Sequence, residues 1–188
     1  MGARDSNGRL FRPDEVQRLQ QALFLLTSGI VQVPAPALTR TLLLDWHTTL
    51  SAGLSSMQPG ILRRGDITFG SYYGTVPSLI NTEIADLIER VNTSISELLV
   101  EAEVGLKINP ADVIDIGVLL HAELIRIHPF EDGNGRLARA AHTWVHALFN
   151  LPIPVWIPGT PYYDALASAI RFRRYAAMQD YVLRCMGR

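Results

Sequence analysis

The stretch from Asn109 to Arg139 constrains the fold more than any other part of the chain. Asn109 followed by Pro110 is a helix start: a side chain that can accept from free backbone N–H groups, then proline where no N–H is needed. Residues 111–127 are heavily apolar, so the predicted helix is central and buried. Pro129 ends it, because proline has no N–H to donate and pushes the residue before it out of helical geometry. A second helix is predicted to open after Gly133 and run to about Leu151. Two consecutive helices are therefore joined by a short loop rich in glycine and charge.

Elsewhere apolar residues mostly recur at helical spacing. One helix is expected from about Asp14 to Ser28, stopped by Gly29. A second runs from Leu38 to about Ser51, after the linker Pro34-Ala35-Pro36. A third starts from an Asn81 cap, with Ile84, Leu87, Ile88, Val91 and Ile95 on one face. Pro152, Pro154 and Pro158 force an extended connection, and a last helix is expected from Tyr162 to about Met186. Residues 59–77 are the exception. There Ile61, Arg63, Ile67, Phe69, Tyr72 and Tyr73 sit between Gly60, Gly65, Gly70 and Gly74, which reads as a hairpin turning near Gly65 or Gly70. The expected fold is mainly α: one domain over residues 14–188, one small β-hairpin, and a flexible segment at 1–13.

The 188 residues are 48 % hydrophobic and 19 % charged, enough for a folded core and unlike a disordered chain. A net charge of −1 gives no sign of a nucleic-acid binder. No apolar run approaches a membrane span, and Met1 to Gly8 lacks the apolar stretch of a secretory signal. The single cysteine, Cys185, cannot form an internal disulfide; it reads as a small apolar residue near the end of the last helix, in a reducing, cytosolic setting.

The loop after the buried helix carries chemistry suited to phosphate. Gly133-Asn134-Gly135 opens the next helix, so free N–H groups and the positive end of the helix dipole face one point, and glycine lets a phosphate approach closely. Arg136 and Arg139 lie on neighbouring positions of one helical face and can fork to phosphate oxygens. Asp132 beside such a cradle makes sense with a divalent cation between, since Mg²⁺ is held by one or two carboxylates plus substrate phosphates. His128 is the candidate base, with an ordinary pKa that suits proton transfer near neutral pH. Singly, each part has a plainer reading: a capping loop, a common turn, a solvated helix face. Their conjunction, in order and without gaps, favours the nucleotide site.

The run His128-Pro129-Phe130-Glu131-Asp132-Gly133-Asn134-Gly135-Arg136-Leu137-Ala138-Arg139 resembles the signature of the Fic (filamentation induced by cAMP) family, whose members mostly transfer AMP from ATP to hydroxyl side chains of target proteins. The resemblance covers about residues 59–181, including His121-Ala122-Glu123 and Tyr162-Tyr163-Asp164-Ala165-Leu166. It implies His128 as base, Phe130 as the residue that packs the loop, and Asp132 as the Mg²⁺ ligand. It further implies Gly133, Asn134 and Gly135 as the anion hole for ATP, with Arg136 and Arg139 on the outer phosphates. Gly60, Ile61, Leu62, Arg63, Ile67 and Phe69 fall in a flap that resembles the family's target-docking hairpin, which pairs with an extended segment of the target and presents its Ser, Thr or Tyr hydroxyl. The kinase Doc has lysine where Gly135 stands, so glycine here implies nucleotidyl transfer. Relatives that transfer UMP or phosphocholine on the same motif, and a Fic-shaped module that only binds, are the alternatives.

No glutamate in the chain is followed by glycine or asparagine, so the family's self-inhibitory [Ser/Thr]-x-x-x-Glu-[Gly/Asn] helix is not found. The resemblance then implies a toxin restrained by a separate small antitoxin that supplies the glutamate, with a type II topoisomerase subunit as the kind of target. The setting would be a bacterial cytoplasm, or a host cytosol for a delivered effector. Neither nucleic acid nor membrane is an expected partner.

Other residues receive plainer readings. His142 and His146 are four apart, a spacing able to hold zinc, but with no third ligand in sequence they read as structural. His121 and Glu123 lack the PCxxC of zinc deaminases. Trp46, Trp144 and Trp156 read as core or surface aromatics. Residues 171–175 (Arg-Phe-Arg-Arg-Tyr) read as a solvated helix face. Arg63 and Arg64 could meet an acidic target or keep a strand edge soluble.

Overall fold

The computed structural model describes residues 8–157 and 159–187. Seven α-helices and one two-stranded hairpin are present among them: α1 (Pro13–Gln32), α2 (Arg40–Leu50), β1 (Thr68–Phe69), β2 (Tyr72–Tyr73), α3 (Ile80–Glu103), α4 (Pro110–Ile127), α5 (Asn134–Leu148), α6 (Thr160–Phe172) and α7 (Ala176–Cys185). The mainly α architecture with one hairpin is as expected.

Helix α4 is the centre. Asn109 Oδ1 accepts from Ala111 N at 3.2 Å, and Pro110 opens the helix. Val113, Val118, Leu120, Leu124 and Ile127 are fully buried as α3, α5, α6 and α7 pack round it. On α5, Trp144 is buried against Trp46 of α2, with ring centroids 6.3 Å apart. Burying this many large side chains, each contributing about 1.5–3 kcal/mol, makes the α4–α5 pair a rigid mount for the loop between them. No helix among the described residues is long and apolar enough to cross a membrane.

Three expectations change. Gly29 does not stop α1, which continues to Gln32 because buried Ile30 anchors the last turn; glycine inside a helix weakens it without breaking it. Asn81 is not a cap: α3 begins at Ile80, and Asn81 Oδ1 accepts from Arg40 Nη2 at 3.1 Å. The expected last helix is two, broken at Arg173, whose φ is 51°. Buried Glu123 of α4 explains the break. Arg173 Nη1 donates to its Oε2 at 3.1 Å and the Tyr175 hydroxyl to its Oε1 at 2.9 Å. Two residues apart on a continuous helix lie on opposite faces, so both reach one carboxylate only across a corner. The 171–175 cluster therefore forms this corner, with residues 171–174 exposed as expected and Tyr175 half-buried.

At the N-terminus the segment expected to be flexible is described only in part. Its residues 1–7 lie outside the described residues. Arg9 is tied to α1 by Arg9 Nη1 donating to Glu15 Oε2 at 3.0 Å, and Pro13 is already helical.

Candidate active site

His128 sits where α4 ends. It takes the left-handed conformation (φ 50°, ψ 59°), which turns the chain out of the helix into the loop. Its Nδ1 lies 3.2 Å from the Ile125 carbonyl. A carbonyl only accepts, so Nδ1 carries the proton and Nε2 keeps a basic lone pair. Burial pushes the imidazole pKa down to about 4, against a raising effect of the Ile125 carbonyl, with nearby Arg63 lowering it further. Phe69 of β1 lies flat on the imidazole, centroids 4.1 Å apart and planes at 10°.

The hairpin hangs over this point. Thr68 pairs with Tyr73 and Phe69 with Tyr72, antiparallel, with Gly70 at the turn at a φ of 58°. Arg63 is the surprise. It is 3 % exposed, and its guanidinium donates to the carbonyls of His128 (2.6 Å), Gly65 (2.6 Å), Ile127 (3.2 Å) and Thr75. Its backbone N–H donates to the Pro129 carbonyl at 3.0 Å. The side chain expected to face a target instead ties both ends of the hairpin to the end of α4, because four carbonyls gather there, that of Ile127 also accepting from Thr75 N, and a guanidinium can satisfy them together. Ile61 is exposed, Leu62 and Ile67 are half-buried, and Arg64 is exposed.

The loop itself is clamped from inside. Asn134 accepts at Oδ1 from Phe130 N at 3.0 Å and donates from Nδ2 to the Phe130 carbonyl at 2.8 Å. Its side chain is thus a staple within the loop, leaving its backbone N–H for an anion. Asn134 and Gly135 lie in the first turn of α5, whose N–H groups have no carbonyl ahead of them in the helix. Gly133 has a φ of 81°, and a Cβ there would stand 3.0 Å from Met57 Cε and 3.1 Å from His47 Nε2. Asp132 Oδ1 accepts from Gly133 N at 2.5 Å and lies 3.5 Å from Arg136 Nη2. Arg136 is held between Asp132 and the Met57 sulfur, also at 3.5 Å. Arg139 differs: it forms no hydrogen bond or ion pair with any described residue, and its guanidinium lies 3.7 Å from where a Cβ on Gly135 would be. The two arginines thus stand in unlike surroundings.

Two groups of residues escaped sequence reasoning. His47 of α2 is fully buried and stacked on Phe130, centroids 3.6 Å apart and planes at 5°. Gly60 N–H donates to its Nδ1 at 3.0 Å, so the proton is on Nε2, which donates to the Asp132 carbonyl at 2.9 Å. No local pattern announces a contact 85 residues away. The second group is a charge network under the hairpin: Glu83 accepts from Thr75 Oγ1 at 2.9 Å and pairs with Arg126, which donates to Glu123 at 3.0 Å. The resemblance at His121-Ala122-Glu123 pointed to the right helix turn but not to this role.

His121, His142 and His146 are buried, and half-buried Trp156 stacks on His121 at 4.7 Å. His121 Nε2 meets the Tyr162 hydroxyl at 2.9 Å. Among the described residues no group of three or more His, Cys, Asp or Glu side chains is arranged to hold a metal.

Residues 37–145, more than half of the chain, match the model of the Fic/DOC family. The chain belongs to that family. The protein adenylyltransferase Fic-1 of Caenorhabditis briggsae is 23 % identical over 145 residues, which are 77 % of this chain and 26 % of the nematode protein. The Fic domain thus spans about a quarter of the curated relative it matches. Among solved structures, a Fic-domain-containing signaling protein of Bacteroides thetaiotaomicron superposes with a TM-score of 0.68 at 20 % identity, over 96 % of this chain and 70 % of that one. BepC, a VirB-translocated effector of Bartonella tribocorum solved with bound AMPPNP, gives 0.65 at 14 % identity, over 98 % and 92 %. At these identities the superpositions show the Fic fold alone.

Proposed function

We propose that this Fic domain is a protein adenylyltransferase that moves AMP from ATP to a hydroxyl of a target protein. The observation that carries the reading is His128 held as a neutral imidazole, Nε2 basic, beside the uncapped first turn of α5 and the uncompensated charge of Arg139. The adenylyltransferase relative and the family membership support it.

The acceptor hydroxyl gives its proton to His128 Nε2 as its oxygen bonds to the α-phosphorus. The bond from that phosphorus to the bridging oxygen breaks, and pyrophosphate leaves. Backbone N–H groups of Asn134 and Gly135 face the phosphate charge, Arg139 takes the outer phosphates, and Arg136 steadies Asp132. Mg²⁺, where bound, neutralises phosphate charge, and Asp132 is the residue that would hold it. The hairpin lays an extended target segment along its open edge by main-chain pairing. We extend the proposal to control: a separate small protein offering a glutamate to Arg139 would compete with the outer phosphates, as expected of a toxin with its antitoxin. Type II topoisomerase subunits are the first targets to try.

The test is incubation with Mg²⁺ and α-labelled ATP in a bacterial lysate, beside His128→Ala. Labelled bands that vanish in the variant support AMP transfer, and a fall of about 10²–10⁴-fold is expected from removing a general base. Label that persists in the variant, or label taken from UTP and not from ATP, overturns the reading.

A further inference from the structure

We propose that His47 is a positioning residue that aims the Asp132 carboxylate and ties it to the base of the hairpin, so that metal-assisted nucleotide binding depends on α2. The inference rests on the adenylyltransferase reading of the same site and names a part it leaves out.

The hydrogen bonds form one directed chain. Gly60, at the root of the hairpin, donates its N–H to His47 Nδ1 at 3.0 Å. That bond assigns the tautomer, so His47 Nε2–H donates to the Asp132 carbonyl at 2.9 Å. In a trans peptide the carbonyl and the following N–H point in opposite directions. Holding the Asp132 carbonyl toward α2 therefore aims the Gly133 N–H the other way, and that N–H donates to Asp132 Oδ1 at 2.5 Å. One side chain thus sets a peptide plane, and the plane anchors the carboxylate oxygen that Arg136 also approaches at 3.5 Å.

The geometry leaves little freedom. His47 has no exposed surface, and its ring lies at 5° to Phe130, centroids 3.6 Å apart. Phe130 is locked in turn by the Asn134 staple. At Gly60 φ is 69°, and a Cβ there would fall 2.4 Å from Thr48 Oγ1 and 3.3 Å from the Leu44 carbonyl, so the donor has one place to sit. At Gly133 only the absence of a Cβ lets His47 Nε2 come this close. A histidine that merely filled the core would not need two fixed partners on two separate segments. Groups that orient a metal-binding carboxylate commonly change metal affinity by about 10–100-fold when removed.

The experiment measures AMPPNP affinity by calorimetry, with and without Mg²⁺, in four proteins. His47→Phe keeps the ring stack and loses both hydrogen bonds. His47→Asn places an acceptor near the Nδ1 position but cannot reach Asp132. His47→Gln reaches the Asp132 carbonyl with a donor. The wild type is expected to gain affinity from Mg²⁺, and His47→Phe and His47→Asn to lose about tenfold of that gain while metal-free affinity stays within about twofold. His47→Gln should recover most of it. If His47→Phe does not fold, the Asn and Gln variants decide the matter. A Mg²⁺ gain in His47→Asn equal to wild type overturns the inference and leaves the adenylyltransferase reading standing. A wild type that binds no AMPPNP, or gains nothing from Mg²⁺, overturns both.

Discussion

The ring of Phe69 lies on the imidazole of His128, 4.1 Å away and nearly parallel. The hairpin therefore covers the base as well as hanging over it, and burial is the main reason that the His128 pKa falls to about 4. A base is useful only when neutral, so this depression keeps His128 competent until the pH falls through about 4. Replacing Phe69 by alanine should re-admit water and move the pKa back toward the ordinary value near 6.5. At pH 5.5 the wild type should retain most of its pH 7.5 transfer rate, and Phe69→Ala should lose most of it. An NMR titration of the His128 ring proton reads the same shift directly. If His128 titrates alike in both proteins, the stacked ring is not the cause.

Mild acid should destabilise the fold by forcing protons onto buried histidines. His121, with a pKa lowered to about 3, and His142 and His146, also lowered, all owe the shift first to burial. In the unfolded chain each regains a value near 6.5 and takes up a proton that the folded form refuses. Stability is therefore whole above pH 6.5 and declines as the pH falls below it toward the folded values. Between pH 7 and 5.5 His121 alone should lower the unfolding free energy by about 1 kcal/mol, with His142 and His146 acting in the same direction. Urea midpoints at the two pH values check this, and equal midpoints would rule it out.

Glu123 should be among the most sensitive polar positions. It is 2 % exposed and accepts from Arg126, Arg173 and Tyr175. Truncation to alanine leaves Arg126 half-compensated by Glu83 and removes what bends the chain at the α6–α7 corner. Breaking a buried ion network in this way costs about 3–5 kcal/mol. Thermal unfolding of Glu123→Ala should show a loss of that order. A loss under about 1 kcal/mol would mean that the corner is held by packing alone.

What could be read in advance follows from how local each cause is. The Asn109-Pro110 start, the Pro129 stop and the glycine turn at Gly70 depend on residues within a few positions, and each stands where expected. Residues 128–139 were legible as a unit because their order is itself the signal. Arg63 was misread because its partners are carbonyls up to 65 positions away, which carry no residue signature. His47 was invisible for the same reason, with Gly60 and Asp132 reached only through the fold. The break at Arg173 needed knowledge of a buried carboxylate 50 residues earlier. Helical spacing gives the faces of α3 and α4, but the polar contacts that fix the site cross between elements.

The unlike surroundings of the two loop arginines lead to separable outcomes. Arg136 already has a carboxylate at 3.5 Å and a sulfur contact, and its side chain is largely enclosed. Removing it should disturb Asp132 and the loop, seen as lower stability together with weaker binding. Arg139 has no counter-charge among the described residues, so its removal breaks no ion pair among them. In Arg139→Ala the melting temperature should stay close to that of wild type while ATP affinity falls by about tenfold or more, the usual worth of a charge-assisted hydrogen bond. AMP, lacking the outer phosphates, should bind both proteins about equally. Calorimetry with the two nucleotides measures this directly. Equal loss for AMP and ATP would move Arg139 off the outer phosphates and onto the α-phosphate or the base.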